Sequence, residues 1–116
     1  MNIYAHRGLF DKKIVENTIS SFKKALLDNL NIELDIRVTK DNKIIVFHDD
    51  NIKRLTGIDR LVKEMTYNEL NDINLLNTTD KIPLLEDVLK LVKGKVNLLI
   101  ELKENFSNNT LKELNK

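Results

Sequence analysis

The sequence has 116 residues, of which 41% are hydrophobic and 32% charged, and 19 Lys and Arg residues against 18 Asp and Glu residues leave a net charge of +1. A chain of this size and composition folds as one ordinary globular domain, and the balanced charge without a basic run argues against nucleic-acid binding. The absence of cysteine excludes disulfides and thiolate metal ligands, and the absence of any signal-like or long apolar segment predicts a cytoplasmic protein that does not span a membrane.

The first predicted element is a short apolar strand from Ile3 to His6, which ends at Arg7-Gly8 and leads into a polar loop. Asn17 or Thr18 then caps a predicted helix that ends near Asn29. The apolar residues of this helix, at helical spacing, are Ile19, Phe22, Leu26 and Leu27. The beginning of the chain therefore predicts a strand, a loop and an amphipathic helix.

The second predicted strand, residues 32 to 38, alternates strictly between apolar and charged side chains. Its apolar face carries Ile32, Leu34, Ile36 and Val38, and its polar face carries Glu33, Asp35 and Arg37. Residues 39 to 43 form a turn cluster, and the run from Ile44 to His48 predicts a further strand that returns as a hairpin.

The rest of the chain combines an irregular segment with a further helix and strand. Residues 49 to 81 are weakly patterned, and only Thr66 to Glu69, which match a capping box, predict a short helix there. Pro83 is expected in the first turn of a helix that closes at Gly94. The apolar residues of this helix are Leu84, Leu85, Val88, Leu89 and Val92. Residues 97 to 103 predict another strand, and strands separated by helices indicate the α/β class with a parallel sheet.

The sequence has two histidines, His6 and His48, and both fall at the C-terminal ends of predicted strands. This is where α/β folds place ligand-binding and catalytic groups. Because histidine exchanges protons near neutral pH, two of them can serve as base and acid in one reaction. Either histidine taken alone could equally be a structural, hydrogen-bonded residue.

Three carboxylates suggest a cation site. Glu33 and Asp35 lie two residues apart on one strand, and burying both charges without a counter-charge is costly. Glu101 lies in another apolar run and can supply a third oxygen ligand of the kind that Mg²⁺ or Ca²⁺ prefers. Arg7 and Lys103 offer positive groups for a phosphate. A solvent-facing edge strand also explains each carboxylate singly, but together with both histidines that explanation requires four coincidences.

Four motifs, in this order and spacing, resemble the signature of glycerophosphodiester phosphodiesterases: Ala5-His6-Arg7-Gly8, Glu16-Asn17-Thr18, Glu33-Leu34-Asp35 and Phe47-His48-Asp49. Leu55-Thr56-Gly57, residues 82 to 89 and Ile100-Glu101-Leu102-Lys103 extend the resemblance over essentially the whole chain. It implies that residues 1–116 are a partial domain of this family, the N-terminal half of a (β/α)₈ barrel. A small insertion is implied after the second strand, at about residues 49 to 81.

The resemblance also implies a reaction and a role for each site residue. The reaction is metal-dependent hydrolysis of glycerophosphodiesters to glycerol 3-phosphate and an alcohol such as choline or ethanolamine. His6 would remove a proton from the glycerol hydroxyl or from water, and His48 would protonate the leaving alkoxide. The remaining roles are binding of one divalent cation, Mg²⁺ or Ca²⁺, by Glu33, Asp35 and Glu101, phosphate contacts by Arg7 and Lys103, and ordering of the loop by Glu16 and Asn17.

A complete (β/α)₈ barrel takes about 250 residues, roughly twice this length. Thr110 to Glu113 resemble a capping box close to the end of the sequence, so we expect a fragment or a truncated product. A half-barrel that pairs with itself or with another chain is the third explanation. Two other functions stay open: an enzyme similar to phosphatidylinositol-specific phospholipase C, which the metal carboxylates argue against, and an inactive half-barrel that binds metal and phosphate.

Overall fold

A computed structural model describes residues 4–8 and 14–103. Ile3 and the predicted capping box from Thr110 to Glu113 lie outside these residues. In chain order the elements are β1 (Tyr4–His6), α1 (Ile19–Leu27), β2 (Asn31–Val38), β3 (Ile44–Val46), α2 (Lys53–Thr56), a 3-10 helix (Val62–Glu64), α3 (Tyr67–Asn71), α4 (Leu85–Val92) and β4 (Leu98–Leu102). Within the described ranges no helix has the length and apolar character needed to cross a membrane.

Strand β2 is the centre of a four-stranded sheet. Strands β1 and β4 both pair with it in parallel, with His6 opposite Glu33 and Glu101 opposite Asp35. Strand β3 pairs with β2 in the antiparallel sense, as the predicted hairpin requires. The sheet is therefore parallel except for β3.

Strands β1 and β3 lie end to end along the same edge of β2. Backbone groups of successive residues in a strand point alternately to its two edges. The Ile32 amide donates to the Asn97 carbonyl at 3.0 Å on the β4 edge, whereas the Asp35 carbonyl, three residues on, accepts from the Phe47 amide at 3.0 Å. Because β1 and β3 run in opposite directions, the C-terminal end of each strand leads towards the other.

The hydrophobic side chains form two clusters. The first core packs the sheet against α1 and α4, and its buried members are Ala5, Phe22, Ala25, Ile32, Leu34, Ile36, Val46, Leu85, Val88 and Val92. The insertion core lies under residues 49 to 81, and its buried members are Val15, Ile45, Phe47, Ile52, Leu55, Val62, Met65, Leu70, Leu75 and Ile82. Since Ile45 and Val46 are adjacent in β3 but belong to different cores, β3 separates the two clusters.

Helix α1 has the predicted start, and three of its four predicted apolar residues pack on the first core: Phe22 is buried there, and Ile19 and Leu26 are partly buried against it. Thr18 is its N-cap and accepts from the Ser21 amide at 3.2 Å, and the helix ends at Leu27. Leu27 was expected on the buried face but is 83% exposed. Phe22 and Ala25 define the face that meets the sheet, and Leu27 lies about 200° around the helix from Ala25 because each residue turns the chain by about 100°.

The expected position of Pro83 in the first helical turn is wrong. Helix α4 begins at Leu85 with Leu84 as N-cap. The Pro83 carbonyl accepts from the Val46 amide at 3.0 Å, and Leu84 forms an isolated antiparallel bridge with Ile45. These residues therefore extend along β3 before the helix begins.

Residues 49 to 81 are mostly loops joined by the two short helices α2 and α3 and the 3-10 helix. The predicted capping box is present at α3, where the Thr66 hydroxyl accepts from the Glu69 amide at 3.3 Å. The segment packs on β3 through the insertion core.

Candidate active site

The three predicted metal ligands lie together at the centre of the sheet. Asp35 is fully buried and Glu33 is 9% exposed, although both occupy the polar face of β2. Glu101, opposite Asp35, has a side chain that is 55% exposed. One carboxylate oxygen from each residue lies within 4.8 Å of the other two. Burial contradicts the solvent-facing alternative for the two β2 carboxylates, whereas Glu101 is exposed as that alternative expects.

Buried oxygen atoms in this cluster favour a cation. Among the described residues, Glu33 Oε1, Asp35 Oδ1 and Asn17 Oδ1 are buried without a hydrogen-bond partner, which costs about 1–3 kcal/mol for each group. Burial raises the pKa of Glu33, and the charges of Asp35 and Glu101 raise it further, against the opposing effects of His6 and Arg7. A divalent cation would supply the missing partner, so the residues present fit a hard metal ion.

The two predicted phosphate-binding residues lie beside the same carboxylates. Arg7 Nε is 3.5 Å from Asp35 Oδ2, and Lys103 Nζ is 3.6 Å from Asp35 Oδ1 and 3.2 Å from Glu101 Oε2. Two positive groups therefore border the cluster and are placed to meet an anion bound there.

His6, the last residue of β1, lies at the open side of the carboxylate cluster. Its Nε2 is 3.0 Å from Glu33 Oε2, and its side chain is 61% exposed. A small molecule approaching the carboxylates can therefore reach this imidazole.

His48 lies two residues beyond the end of β3, whereas the sequence predicted it as the last residue of that strand. Its Nδ1 is 2.7 Å from Asp49 Oδ1. Burial alone would raise the pKa of Asp49, but hydrogen bonds from Arg54 and His48 lower it to about 2. An ionised carboxylate only accepts hydrogen bonds, so Nδ1 of His48 carries a proton. The other ring nitrogen, Nε2, is then available for proton transfer. The His48 carbonyl accepts from Arg37 Nε at 2.9 Å and Nη2 at 2.7 Å.

The two residues predicted to order the loop after β1 contact that loop directly. Glu16 Oε2 accepts from Arg7 Nη1 at 3.0 Å. The Asn17 amide donates to the Arg7 carbonyl at 2.7 Å, and its Nδ2 donates to Asp35 Oδ2 at 3.1 Å. Arg7 and Asn17 both have positive φ, 56° and 54°. These contacts fix Arg7 against the carboxylate cluster.

Sequence reasoning missed three residues at the site: Arg37, Asp49 and Arg54. Asp49 belongs to the Phe47-His48-Asp49 motif, which could have assigned it a role. Arg37 lies on the polar face of β2, where the alternation marks it. Arg54 lies in the weakly patterned segment after β3, and no local signal connects it to Glu16, 38 residues earlier.

The mostly parallel sheet with α1 and α4 packed against it, and with a site built on β1, β2 and β4, is that of the N-terminal half of a (β/α)₈ barrel. The family model described as "Glycerophosphoryl diester phosphodiesterase family" matches residues 6–115, and the chain belongs to this family. Both the predicted fold class and the predicted family are confirmed.

Individual relatives agree with this assignment. A glycerophosphodiester phosphodiesterase from Bacillus altitudinis is 38% identical over 107 residues, covering 86% of this chain and 43% of the relative. The crystal structure of glycerophosphodiester phosphodiesterase from Thermotoga maritima has 36% identity and a TM-score of 0.85, covering 100% of this chain and 50% of that one. The structure of an Oleispira antarctica phosphodiesterase in complex with the product sn-glycerol-3-phosphate has 26% identity and a TM-score of 0.81, covering 89% of this chain and 44% of that one. The chain thus spans about half the length of the relatives it matches.

Proposed function

We propose that this chain carries the active-site half of an enzyme that hydrolyses glycerophosphodiesters to sn-glycerol 3-phosphate and an alcohol, with a divalent cation and two histidines. The observation that carries the proposal is the cluster of Glu33, Asp35 and Glu101, with buried oxygens that accept no hydrogen bond, next to the accessible His6. The product complex of the Oleispira antarctica relative supports a small-molecule substrate of this kind.

The cation would be held by Glu33, Asp35 and Glu101. Oxygen-only ligands suit Mg²⁺ and Ca²⁺ alike. When bound, such an ion supplies electrostatic stabilisation for the charge that develops on the phosphate oxygens. Arg7 and Lys103 would contact the same phosphate, since both border the cluster.

The two histidines divide the proton transfers in this proposal. His6 would accept a proton from the glycerol hydroxyl of the substrate or from water, for which its exposed position beside Glu33 is suited. His48 would protonate the leaving alkoxide through Nε2, while Asp49 holds the proton on Nδ1. Glu16 and Asn17 would keep the loop that carries Arg7 in place.

The test measures release of glycerol 3-phosphate from glycerophosphocholine by the purified chain, with Mg²⁺, with Ca²⁺ and with chelator. We expect turnover that chelator abolishes and that His6→Ala or His48→Ala lowers by about 100-fold or more. Full activity of His48→Ala would contradict the assigned roles. Turnover that is insensitive to chelator would favour the phospholipase C-like alternative, and metal binding without turnover would favour the inactive half-barrel.

Cytoplasmic location and closure of the barrel by self-association stay predictions from the sequence. Light scattering on the protein used for the assay tests the second of these. An active dimer would support closure by a second copy, and an active monomer would contradict it.

A further inference from the structure

Arg54 joins two parts of the site that are distant in sequence. Its guanidinium donates to Glu16 from Nη1 to Oε1 at 2.9 Å and from Nη2 to Oε2 at 2.8 Å. It also donates to Asp49 from Nε to Oδ2 at 2.8 Å and from Nη2 to Oδ1 at 3.3 Å. Because a guanidinium has five N–H donors in a rigid plane, Arg54 can donate hydrogen bonds to two carboxylates at once.

Each of these carboxylates also contacts a second side chain, one that has a proposed role in the reaction. Glu16 Oε2 also accepts from Arg7 Nη1 at 3.0 Å, and Asp49 Oδ1 lies 2.7 Å from His48 Nδ1. Arg54 is therefore the central member of a continuous chain of contacts that runs from the loop after β1 to the loop after β3.

The position of Arg54 is set by the insertion core rather than by its own burial. Its side chain is 47% exposed, so the guanidinium contributes little to hydrophobic packing. Leu55, the next residue of α2, is buried in the insertion core and anchors the helix. The position of α2 therefore determines where the guanidinium of Arg54 binds Glu16 and Asp49.

We infer that Arg54 is a positioning residue: it fixes the His48 imidazole through Asp49 and the Arg7 guanidinium through Glu16. The catalytic meaning of this inference rests on the proposed function, but the orientation of His48 is measurable without turnover. The planar fork is required, because a lysine at this position would keep the charge but could not hold two carboxylates in bidentate contacts.

Long-range ¹H–¹⁵N NMR spectra of the two imidazoles test the inference at about pH 9, above the ordinary titration range of histidine. In the unmodified protein we expect His48 to show one tautomer, protonated at Nδ1. In Arg54→Gln and in Arg54→Lys we expect its two nitrogen shifts to converge as both tautomers become populated, with the His6 signals unchanged. Arg60→Gln, which removes an exposed arginine of the same segment 3.6 Å from Glu69, should leave His48 unchanged. Asp49→Asn should shift the His48 signals and so assigns them.

Unchanged His48 signals in both Arg54 variants, with Asp49→Asn still shifting them, would overturn the inference. Amide spectra report folding, and Arg54→Lys keeps a cation beside buried Glu16 if the glutamine variant does not fold. Where the protein turns over glycerophosphocholine, both Arg54 variants should lower kcat by roughly 10- to 100-fold while KM changes less than about threefold. Absence of turnover in the unmodified protein would count against the proposed function and would leave the tautomer result intact.

Discussion

Glu33 is nine-tenths buried beside two other carboxylates, an arrangement that costs stability when no cation is bound. Glu33→Gln removes the buried charge, and in chelator we expect it to stabilise the fold by about 1 kcal/mol, or roughly 4 °C in Tm. Added Mg²⁺ or Ca²⁺ should then raise the Tm of the unmodified protein but have little effect on the variant. Thermal unfolding followed by circular dichroism measures both effects.

Glu86→Gln is the control for this comparison, because Glu86 is an exposed glutamate in the first turn of α4. It should show the same response to cation as the unmodified protein. A Glu33→Gln variant that is less stable than the unmodified protein in chelator would show that the carboxylate cluster is not strained.

Asp49 predicts a dependence of stability on pH. Hydrogen bonds hold its pKa at about 2, below the ordinary value of 3.8, so the folded state binds its proton more weakly than the unfolded state does. The ionised carboxylate therefore stabilises the fold above about pH 4, and this contribution is lost as the pH falls towards 2. We expect the difference in unfolding free energy between the unmodified protein and Asp49→Asn to be constant near neutral pH and to narrow below pH 4.

Urea unfolding at pH 7, 5 and 3 measures this difference. The matched variant is Asp50→Asn, which removes the neighbouring exposed carboxylate. If the difference in unfolding free energy between the unmodified protein and Asp49→Asn is as large at pH 3 as at pH 7, the carboxylate is not held in its ionised form by its partners.

Residues whose contacts follow from strand alternation could be predicted from the sequence, and residues with long-range contacts could not. The alternation in β2 correctly put Glu33 and Asp35 on one face, and the structure adds that this face is buried. Arg54 lies in a segment without periodicity, and its partner Glu16 is 38 residues away. Only the tertiary fold brings the two together.

At the scale of elements, the loop after β1 depends on Gly8. Its φ is +77°, and an added Cβ would collide with the Ser21 side chain. Gly57 has a φ of +79° but open space around it. Gly57→Ala should therefore cost only the strain of a left-handed residue, about 1–2 kcal/mol, whereas Gly8→Ala should cost more. Denaturant unfolding of both variants isolates the effect of close packing, and equal losses would contradict it.

Element boundaries were predicted well where local capping sets them and poorly where pairing with β3 sets them. Thr18 and Thr66 cap their helices through side-chain hydrogen bonds within four residues. Pro83 and His48 were misplaced because their positions depend on the pairing and the end of β3. That pairing is non-local, and neither residue carries a sign of it.

At the scale of the molecule, the insertion core and the first core pack on opposite faces of β3, so we expect the two cores to unfold together. Leu70→Ala, in a fully buried position of α3, should destabilise the whole described fold by about 2–5 kcal/mol. Urea unfolding followed by circular dichroism and by amide NMR signals from both cores measures this. Leu27→Ala, at an exposed position, should change stability by less than about 0.5 kcal/mol. Separate transitions for the two cores would contradict the expected cooperativity.

Because β1 and β3 lie end to end along β2, the length of the turn at residues 39 to 43 sets the position of His48 relative to the rest of the site. Ile45 and Val46 enter different cores, so inserting one residue in this turn would exchange their faces and bury each in the wrong core. Inserting two residues would preserve the faces but slide the strand along β2 by about 6.6 Å, carrying His48 with it. Homologous chains that keep both histidines in use should therefore conserve the length of this turn more strictly than its residues.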